Sequence, residues 1–406
     1  MPPARSFPSS NIPVHRIDLS LPPKERYKGL ALAYKSQIST ITPLFNELLA
    51  DLGIPEARHG SINTLARLLM RGVYSSIETA ELRGICEVTG VGMYLLVALN
   101  VVLDLLMGCT SSAVRSTTGK LWHLRTLDWA MDPLRQIIVQ LDFVRSGPNA
   151  LRNAETLRSL DDCEVLASSI TYVGFVGVLT GVKPGLSMSL NFRAVHNDSS
   201  RWGHFKFYAH HLAVLLGYRQ SISSRLRELL YDDDPKKTSI KQPPTLAEIE
   251  KDLSSRHTTA AYLLFSDGDR SMVLEKDFGD AHVRWDAGGF LVATNHDFQQ
   301  QDRDKSPTPA GEHTAKHARQ EAMADLLEDS TERAECVSAK WRKKTRADSS
   351  RNRGVSQNEA ISWVSDYPTT NECTHFATVM DPSVGVIRWA HAYIEPLETA
   401  ENSYVL

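Results

Sequence analysis

A thiol, a guanidinium and a carboxylate fall within one short stretch of this 406-residue chain, Gly108 to Asp128 (GCTSSAVRSTTGKLWHLRTLD). Cys109 follows a glycine and precedes Thr110, Ser111 and Ser112; beyond a Gly119-Lys120 turn, a second apolar run ends at Arg125-Thr126-Leu127-Asp128-Trp129. Strand and hairpin rules read this as two short strands that fold Arg125 and Asp128 back towards Cys109. A thiol becomes a good nucleophile when a cation favours its thiolate and a neighbour accepts its proton. A buried structural Cys, a surface Arg and a turn Asp are the plainer readings of the same three residues. The Gly108–Cys109 bond offers further chemistry, because glycine leaves its carbonyl unhindered and tolerates unusual backbone angles. Cutting there would free the α-amine of Cys109, with an ordinary pKa of roughly 7.7–8.0, beside the thiol of the same residue.

The elements that must position these groups follow from the apolar pattern. Val91 to Met107 is helical in character, with Asn100 and Asp104 four residues apart, and it ends at Gly108. A buried helix is expected rather than a membrane span, since the run is short and Asn100 and Asp104 are costly in lipid. Upstream, Val14–Leu21 alternates like a strand, and Lys24–Leu52 and Ser61–Met70 show amphipathic helical spacing. Downstream, strands are predicted at Ile137–Phe143, Val173–Val182 and Leu186–Phe192, and a helix at Phe205–Leu230. Asp232–Pro244 reads as a charged linker, and Thr245 and Glu248 as a capping box opening another helix. Ala260–Phe265 and Ser271–Phe278 form a hairpin around Asp267-Gly268. A strand from Gly288 to Thr294 delivers Asn295 at its end, where its amide could donate to an oxyanion. From Gln299 to Gln357 the chain turns polar and reads as a solvated insertion with a helical patch at Met323–Leu327. Its basic runs, Lys340–Lys344 and Arg351-x-Arg353, raise contact with anionic lipid or nucleic acid as the alternative. Glu359–Val364 is predicted helical, and Phe376–Met380 with Val386–Tyr393 forms a closing hairpin.

Forty-five basic residues against 48 acidic give a net charge of −3, which argues against a dedicated nucleic-acid binder. Five scattered cysteines make neither a disulfide framework nor a CxxC metal site. Adjacent His210 and His211 point to different helix faces and lack a third ligand, so no metal is expected. The first residues contain no apolar signal-like core, so a cytoplasmic enzyme is the expectation from sequence.

Five motifs in order carry a family resemblance. Cys109-Thr110-Ser111 with Leu124-Arg125-Thr126-Leu127-Asp128-Trp129, then Phe175–Gly185 (FVGVLTGVKPG), Ser189-Leu190-Asn191-x-Arg193 and Ala293-Thr294-Asn295-His296-Asp297 resemble elements of the acid ceramidase and N-acylethanolamine acid amidase family. That resemblance implies an α+β fold, the four-layer αββα sandwich of N-terminal-nucleophile hydrolases. It also implies self-cleavage before Cys109 into a mainly helical small chain, 1–108, and a catalytic large chain, 109–406, which stay associated. By the same likeness the activity is hydrolysis of an N-acylated lipid amide with no cofactor, ceramide first, and the compartment lysosomal or vacuolar. An N-acylethanolamine amidase, an acyltransferase of the isopenicillin-N type and a silent lipid-binding homologue are the alternatives, and peripheral contact with lipid surfaces is compatible with each. Cys109 would be the nucleophile, Arg125 would hold the thiolate or substrate carbonyl, Asp128 would orient the freed amine and Asn295 would serve the oxyanion. The family's last catalytic Arg has two candidates, Arg303 by distance and Arg333 by local pattern, and Arg333 is chosen. Asn191, Arg193 and Trp129 would line the substrate site; Phe192 replaces the family's glutamate between Asn191 and Arg193.

Overall fold

In the computed structural model, strand pairing divides the thirteen strands among the described residues between two sheets. The structure describes residues 10–397 except 52, 103–107, 130, 147–159, 194–195, 199, 235–241, 299–314 and 348–353. Asp104, Arg303, Arg351 and Arg353 lie outside the described residues. The larger sheet runs β1(Val14–Asp18), β4(Ile138–Val144), β5(Ala167–Tyr172), β6(Thr180–Lys183), β7(Leu186–Phe192), β8(Ala261–Ser266), β9(Ser271–Lys276) and β10(Ala281–Trp285). Only its β1–β4 pair is parallel. The smaller sheet runs β11(Phe290–Ala293), β2(Gly108–Arg115), β3(Leu121–Asp128), β12(Thr374–Asp381) and β13(Val386–Ala392), antiparallel throughout.

The sheets face each other through β2 on β7 and β8, and β13 on β5 and β6. Helices cover both outer faces. α9(Ile222–Leu230) and α10(Leu246–Ser255) pack on the larger sheet, α11(Ala315–Ala347) and α12(Gln357–Ser365) on the smaller. The result is the expected four-layer αββα sandwich. Burial on both faces explains why β3, β7, β8, β9 and β12 are buried almost end to end instead of alternating. The seam between the sheets carries polar side chains: His123 sits between the hydroxyls of Ser187 (3.0 Å) and Ser189 (2.9 Å). Burial and the Arg125 charge push that imidazole down to about 3, so it stays neutral.

Between β1 and β2 the described residues include α1(Pro23–Arg26), α2(Lys28–Ala33), α3(Lys35–Ile38), α4(Leu44–Asp51), α5(Glu56–Leu69), α6(Ser76–Thr89) and α7(Met93–Val102). The continuous helix expected over Lys24–Leu52 is thus broken into short pieces around the core. α7 leads towards β2; its buried Asn100 accepts from the amide of Val176 and donates to the carbonyls of Gly174 and Leu96, all at 2.8 Å. No helix among the described residues is long and apolar enough to cross a membrane. α8(Arg201–Leu215) and α9 replace the single predicted helix at Phe205–Leu230, separated by a turn at Gly217 with φ +75°.

Two expectations are corrected. The strand predicted over Val173–Val182 is mostly a loop with Gly174 at φ +96°, and the strand lies before it, at Ala167–Tyr172. The stretch expected to be a solvated insertion contains α11, whose Ala334, Val337 and Trp341 are buried. Its basic run also faces inward in part: Lys340 pairs with Asp366 (3.2 Å) and Lys344 with Glu359 (2.8 Å).

Candidate active site

The hairpin register opposes Gly108 to Asp128 and Cys109 to Leu127. Cys109 therefore starts an internal strand, and its side chain is wholly buried. Its backbone N–H donates to Asn295 Oδ1 at 2.7 Å. β11, paired with β2 from Phe290–Val114 to Ala293–Ser111, brings Asn295 there. α11 contributes Arg333, whose guanidinium donates to Asp128 Oδ2, Thr110 Oγ1 and Asn295 Oδ1, each at 3.1 Å. Asp128 is held on its other oxygen by the Thr374 hydroxyl at 2.7 Å, from β12. A Cβ on Gly108 would lie 3.4 Å from Asp128 Cβ and 3.9 Å from the Arg333 guanidinium, so Gly108 sits beside both side chains.

Arg125 is fully buried in the inter-sheet seam. It donates to Asn191 Oδ1 (2.5 Å), the Leu190 carbonyl (2.7 Å), Ser111 Oγ and Thr180 Oγ1 (both 3.3 Å). Burial pushes the Cys109 thiol up, while Arg125, through its charge and a hydrogen bond to the sulfur, and Arg333 pull it down against Asp128. Burial likewise raises the Asp128 carboxyl, opposed by Arg333, Thr374 and Arg125. Two guanidiniums surround one carboxylate and one thiol, an arrangement with room for one more negative charge.

The five expected catalytic positions thus converge, but one stands differently from its expected role. Asn295 was assigned to the oxyanion, yet its Nδ2 already donates to the Phe192 carbonyl at 2.8 Å. Its Oδ1 receives two donors, which fixes the amide orientation. It holds the amide nitrogen of Cys109, and oxyanion donation would require the Phe192 bond to break. The three residues expected to line the substrate site are all buried. Asn191 is buried, with Oδ1 taken by Arg125 and Ser111 and Nδ2 by the carbonyls of Ala293 (3.0 Å) and Thr294 (3.1 Å). Arg193 forms a two-point pair with Asp297, both contacts 2.8 Å, and donates to Asn197. Both side chains are buried and held by neighbouring residues, with Arg193 Nη1 left without a hydrogen-bond partner among the described residues. Trp129 is buried, its ring 6.4 Å from those of Tyr172 and His375. Tyr172 and His375 are joined at 2.7 Å.

Sequence reasoning missed Thr374, Thr110 and Ser330, which accepts from the Asn295 amide at 2.7 Å through its hydroxyl. Ser330 and Arg333 lie one turn apart on α11, a spacing that could have linked them; Thr374 gave no such signal. Among the described residues no group of three His, Cys, Asp or Glu is placed to hold a metal.

A family model described as the beta subunit of N-acylethanolamine-hydrolyzing acid amidase matches residues 10–73. Acid ceramidase of Mus musculus is 28% identical over 214 residues, covering 47% of this chain and 48% of that protein. The N-acylethanolamine-hydrolyzing acid amidase of Caenorhabditis elegans is 32% identical over 124 residues, covering 28% and 30%. The chain thus aligns with about half the length, or less, of the curated relatives it matches. Among solved structures, the Caenorhabditis elegans N-acylethanolamine-hydrolyzing acid amidase ortholog superposes with a TM-score of 0.48 at 19% identity, over 70% of this chain and all of that one. A variant of conjugated bile acid hydrolase from Clostridium perfringens gives 0.37 at 13% identity, over 70% and 89%. By these sequence matches, and in its five ordered motifs, the chain is similar to members of the acid ceramidase and N-acylethanolamine acid amidase family.

Proposed function

We propose that this chain is a self-processing cysteine amidohydrolase that cuts itself before Cys109 and then hydrolyses the amide of an N-acylated lipid, ceramide first. The observation that carries the reading is the grip of Asn295 on the Cys109 nitrogen beside Arg125, Asp128 and Arg333. Thiol attack on the Gly108 carbonyl, N-to-S acyl transfer and hydrolysis would turn that nitrogen into an α-amine already in place. The amine then takes the thiol proton, the thiolate attacks the substrate amide, and the acyl-thioester is hydrolysed after the amine product leaves. Arg125 and Arg333 supply the surplus positive charge that thiolate and oxyanion require. A buried, high-pKa thiol before cleavage suits a precursor that is silent until cut.

The small chain would remain attached after cleavage. Its β1 is built into the larger sheet beside β4, and its Arg26 and Glu81 join a buried ion network with Arg227 of the large chain. Peripheral membrane contact is part of the proposal. α8 exposes Trp202, Phe205, Tyr208 and Leu212 along one side, and α5 exposes Leu65, Leu68 and Leu69.

Intact mass and N-terminal sequencing after mildly acidic incubation test the first step. Chains 1–108 and 109–406 are expected from the wild type and a single uncut chain from Cys109→Ala. A chain that stays whole under every condition while its thiol remains unreactive would leave the silent lipid-binding reading instead. Product analysis with ceramide, an N-acylethanolamine and an added amine acceptor then separates hydrolase from acyltransferase.

A further inference from the structure

Away from Cys109, a cleft of about 260 Å³ opens where the turn between α8 and α9 meets the end of α10 and the Tyr74 loop. Gly217 makes this meeting close. It holds φ +75°, and a Cβ there would lie 2.8 Å from the Gly72 carbonyl, so the turn is pressed onto the chain entering Tyr74. The lining includes Arg219, Arg225, Arg256, His210, Tyr74 and Tyr218, and no carboxylate among the described residues. Ser221, also in the lining, caps α9 by accepting from the Ser224 amide, so the positive end of a nine-residue helix points at the cleft.

The charge inventory leaves one cation over. Arg225 and Arg256 share Asp252, and Arg225 also meets Glu228, whereas Arg219 forms no ion pair among the described residues. Arg219 instead donates to His210 Nδ1 at 2.8 Å. His210 is 2% exposed and neutral, because burial and the neighbouring Arg219 push its imidazole down to about 4. With Nδ1 accepting, the ring proton sits on Nε2, and that buried N–H has no acceptor among the described residues. A wall that combines an orphaned donor, an unpaired guanidinium and a helix N-terminus lacks one thing, an acceptor-rich anion.

We propose that this cleft binds a phosphate monoester, with Arg219 and Arg256 as its charged donors and Tyr74 and Tyr218 as its flanking walls. Guanidinium groups match tetrahedral oxyanions with paired donors, which favours phosphate over chloride. Because Tyr74 precedes Cys109 and the other groups follow it, the bound anion would bridge the two parts of the chain across the proposed cut. The site itself does not depend on the amidase reading.

The test is titration calorimetry of the full chain with inorganic phosphate and glycerol 3-phosphate at constant ionic strength. A parallel arm measures sedimentation with phosphatidylcholine vesicles with and without phosphatidic acid. One saturable site for the soluble phosphates, weakened about tenfold or more in Arg219→Gln and lost in Arg219→Gln/Arg256→Gln, supports a soluble ligand. Binding confined to vesicles containing phosphatidic acid, with the same loss in the variants, supports a lipid headgroup. Should the double variant fold poorly by circular dichroism, the His210 Nε2 resonance of the wild type must move on adding phosphate. Absence of binding in both arms, or binding unchanged in a folded Arg219→Gln, overturns the proposal.

Discussion

Around Cys109, two guanidiniums, Arg125 and Arg333, face one carboxylate, Asp128. Between α1, α6 and α9, two guanidiniums face three carboxylates. Arg26 and Arg227 both bind Glu81, at 3.0 and 2.6 Å, and the Arg227 Nε lies 3.3 Å from Asp233 and 3.9 Å from Glu78. The clusters resemble each other in burial and in the use of arginine forks. They differ in what is left over. The first has a spare positive charge and can accept a thiolate or oxyanion; the second has a spare negative charge and is completed by a proton on Glu78. On the proposed function the first cluster is arranged for reaction; the second holds the residues before Cys109 to those after it.

Removing the positive surplus should have the largest effect. Arg125→Met is expected to slow both self-cleavage and amide hydrolysis by about 10²–10³-fold, the usual cost of losing a donor aimed at developing charge. Mass spectrometry of chain 109–406 over time and kcat/KM on a fluorogenic N-acyl amide read the two steps. Arg125→Lys keeps the charge but loses the fork that grips Asn191 and Leu190, so it should fall between. Wild-type rates in a folded Arg125→Met would break the comparison at its first term.

Breaking the second cluster should cost stability instead of chemistry. Arg227→Met strips Glu81 of its bidentate partner and leaves a buried carboxylate with Arg26 alone. A loss of roughly 3–5 kcal/mol is expected, read as a lower thermal midpoint. Once cut, the variant should also shed its small chain on gel filtration, while the chemistry per folded molecule stays near wild type.

How far the sequence reached follows the same division. The hairpin from Gly108 to Asp128 and the end of β11 were legible because turn residues and local register place Cys109, Arg125, Asp128 and Asn295 with little help from elsewhere. Arg333 could be named only by its local pattern, since α11 buries a narrow stripe (Ala334, Val337, Trp341) in an otherwise polar run. β5 was missed because it is buried on both faces while rich in Ser and Thr, so neither alternation nor an apolar run marks it. The Arg26–Glu81–Arg227 network was invisible because its members are 55 and 146 residues apart and no short spacing joins them. The pairing of Arg193 with Asp297 was invisible for a related reason, since the two lie 104 residues apart.

Glu78 sharpens the comparison with a smaller effect. Burial raises its carboxyl from 4.5 to about 7, although Arg227 and the Ser224 hydroxyl oppose the shift. The folded chain therefore holds this proton more tightly than the unfolded chain. Its contribution is complete below about pH 4.5 and is lost as pH rises through about 7. Glu78→Gln keeps an acceptor for Ser224 and removes the titration. Thermal midpoints of variant and wild type should agree near pH 4 and separate in favour of the variant by pH 8. Parallel curves would mean that the second cluster carries no spare charge.

The smallest expected effect lies in the first cluster and concerns pH alone. Thr374 donates to Asp128 Oδ1 from across the β3–β12 pairing, and that bond stabilises the ionised carboxylate against burial. Thr374→Val conserves shape and deletes the donor, so the Asp128 carboxyl should rise further. If the ionised carboxylate is what orients the Cys109 amine, the acid limb of the pH–rate profile moves to higher pH while the plateau rate stays close to wild type. Arg333 still neutralises Asp128 in the variant, which keeps the shift modest and the fold intact. A limb that stays in place, or moves to lower pH, would assign the acid limb to another group and leave Asp128 as an anchor for Arg333 rather than for the amine.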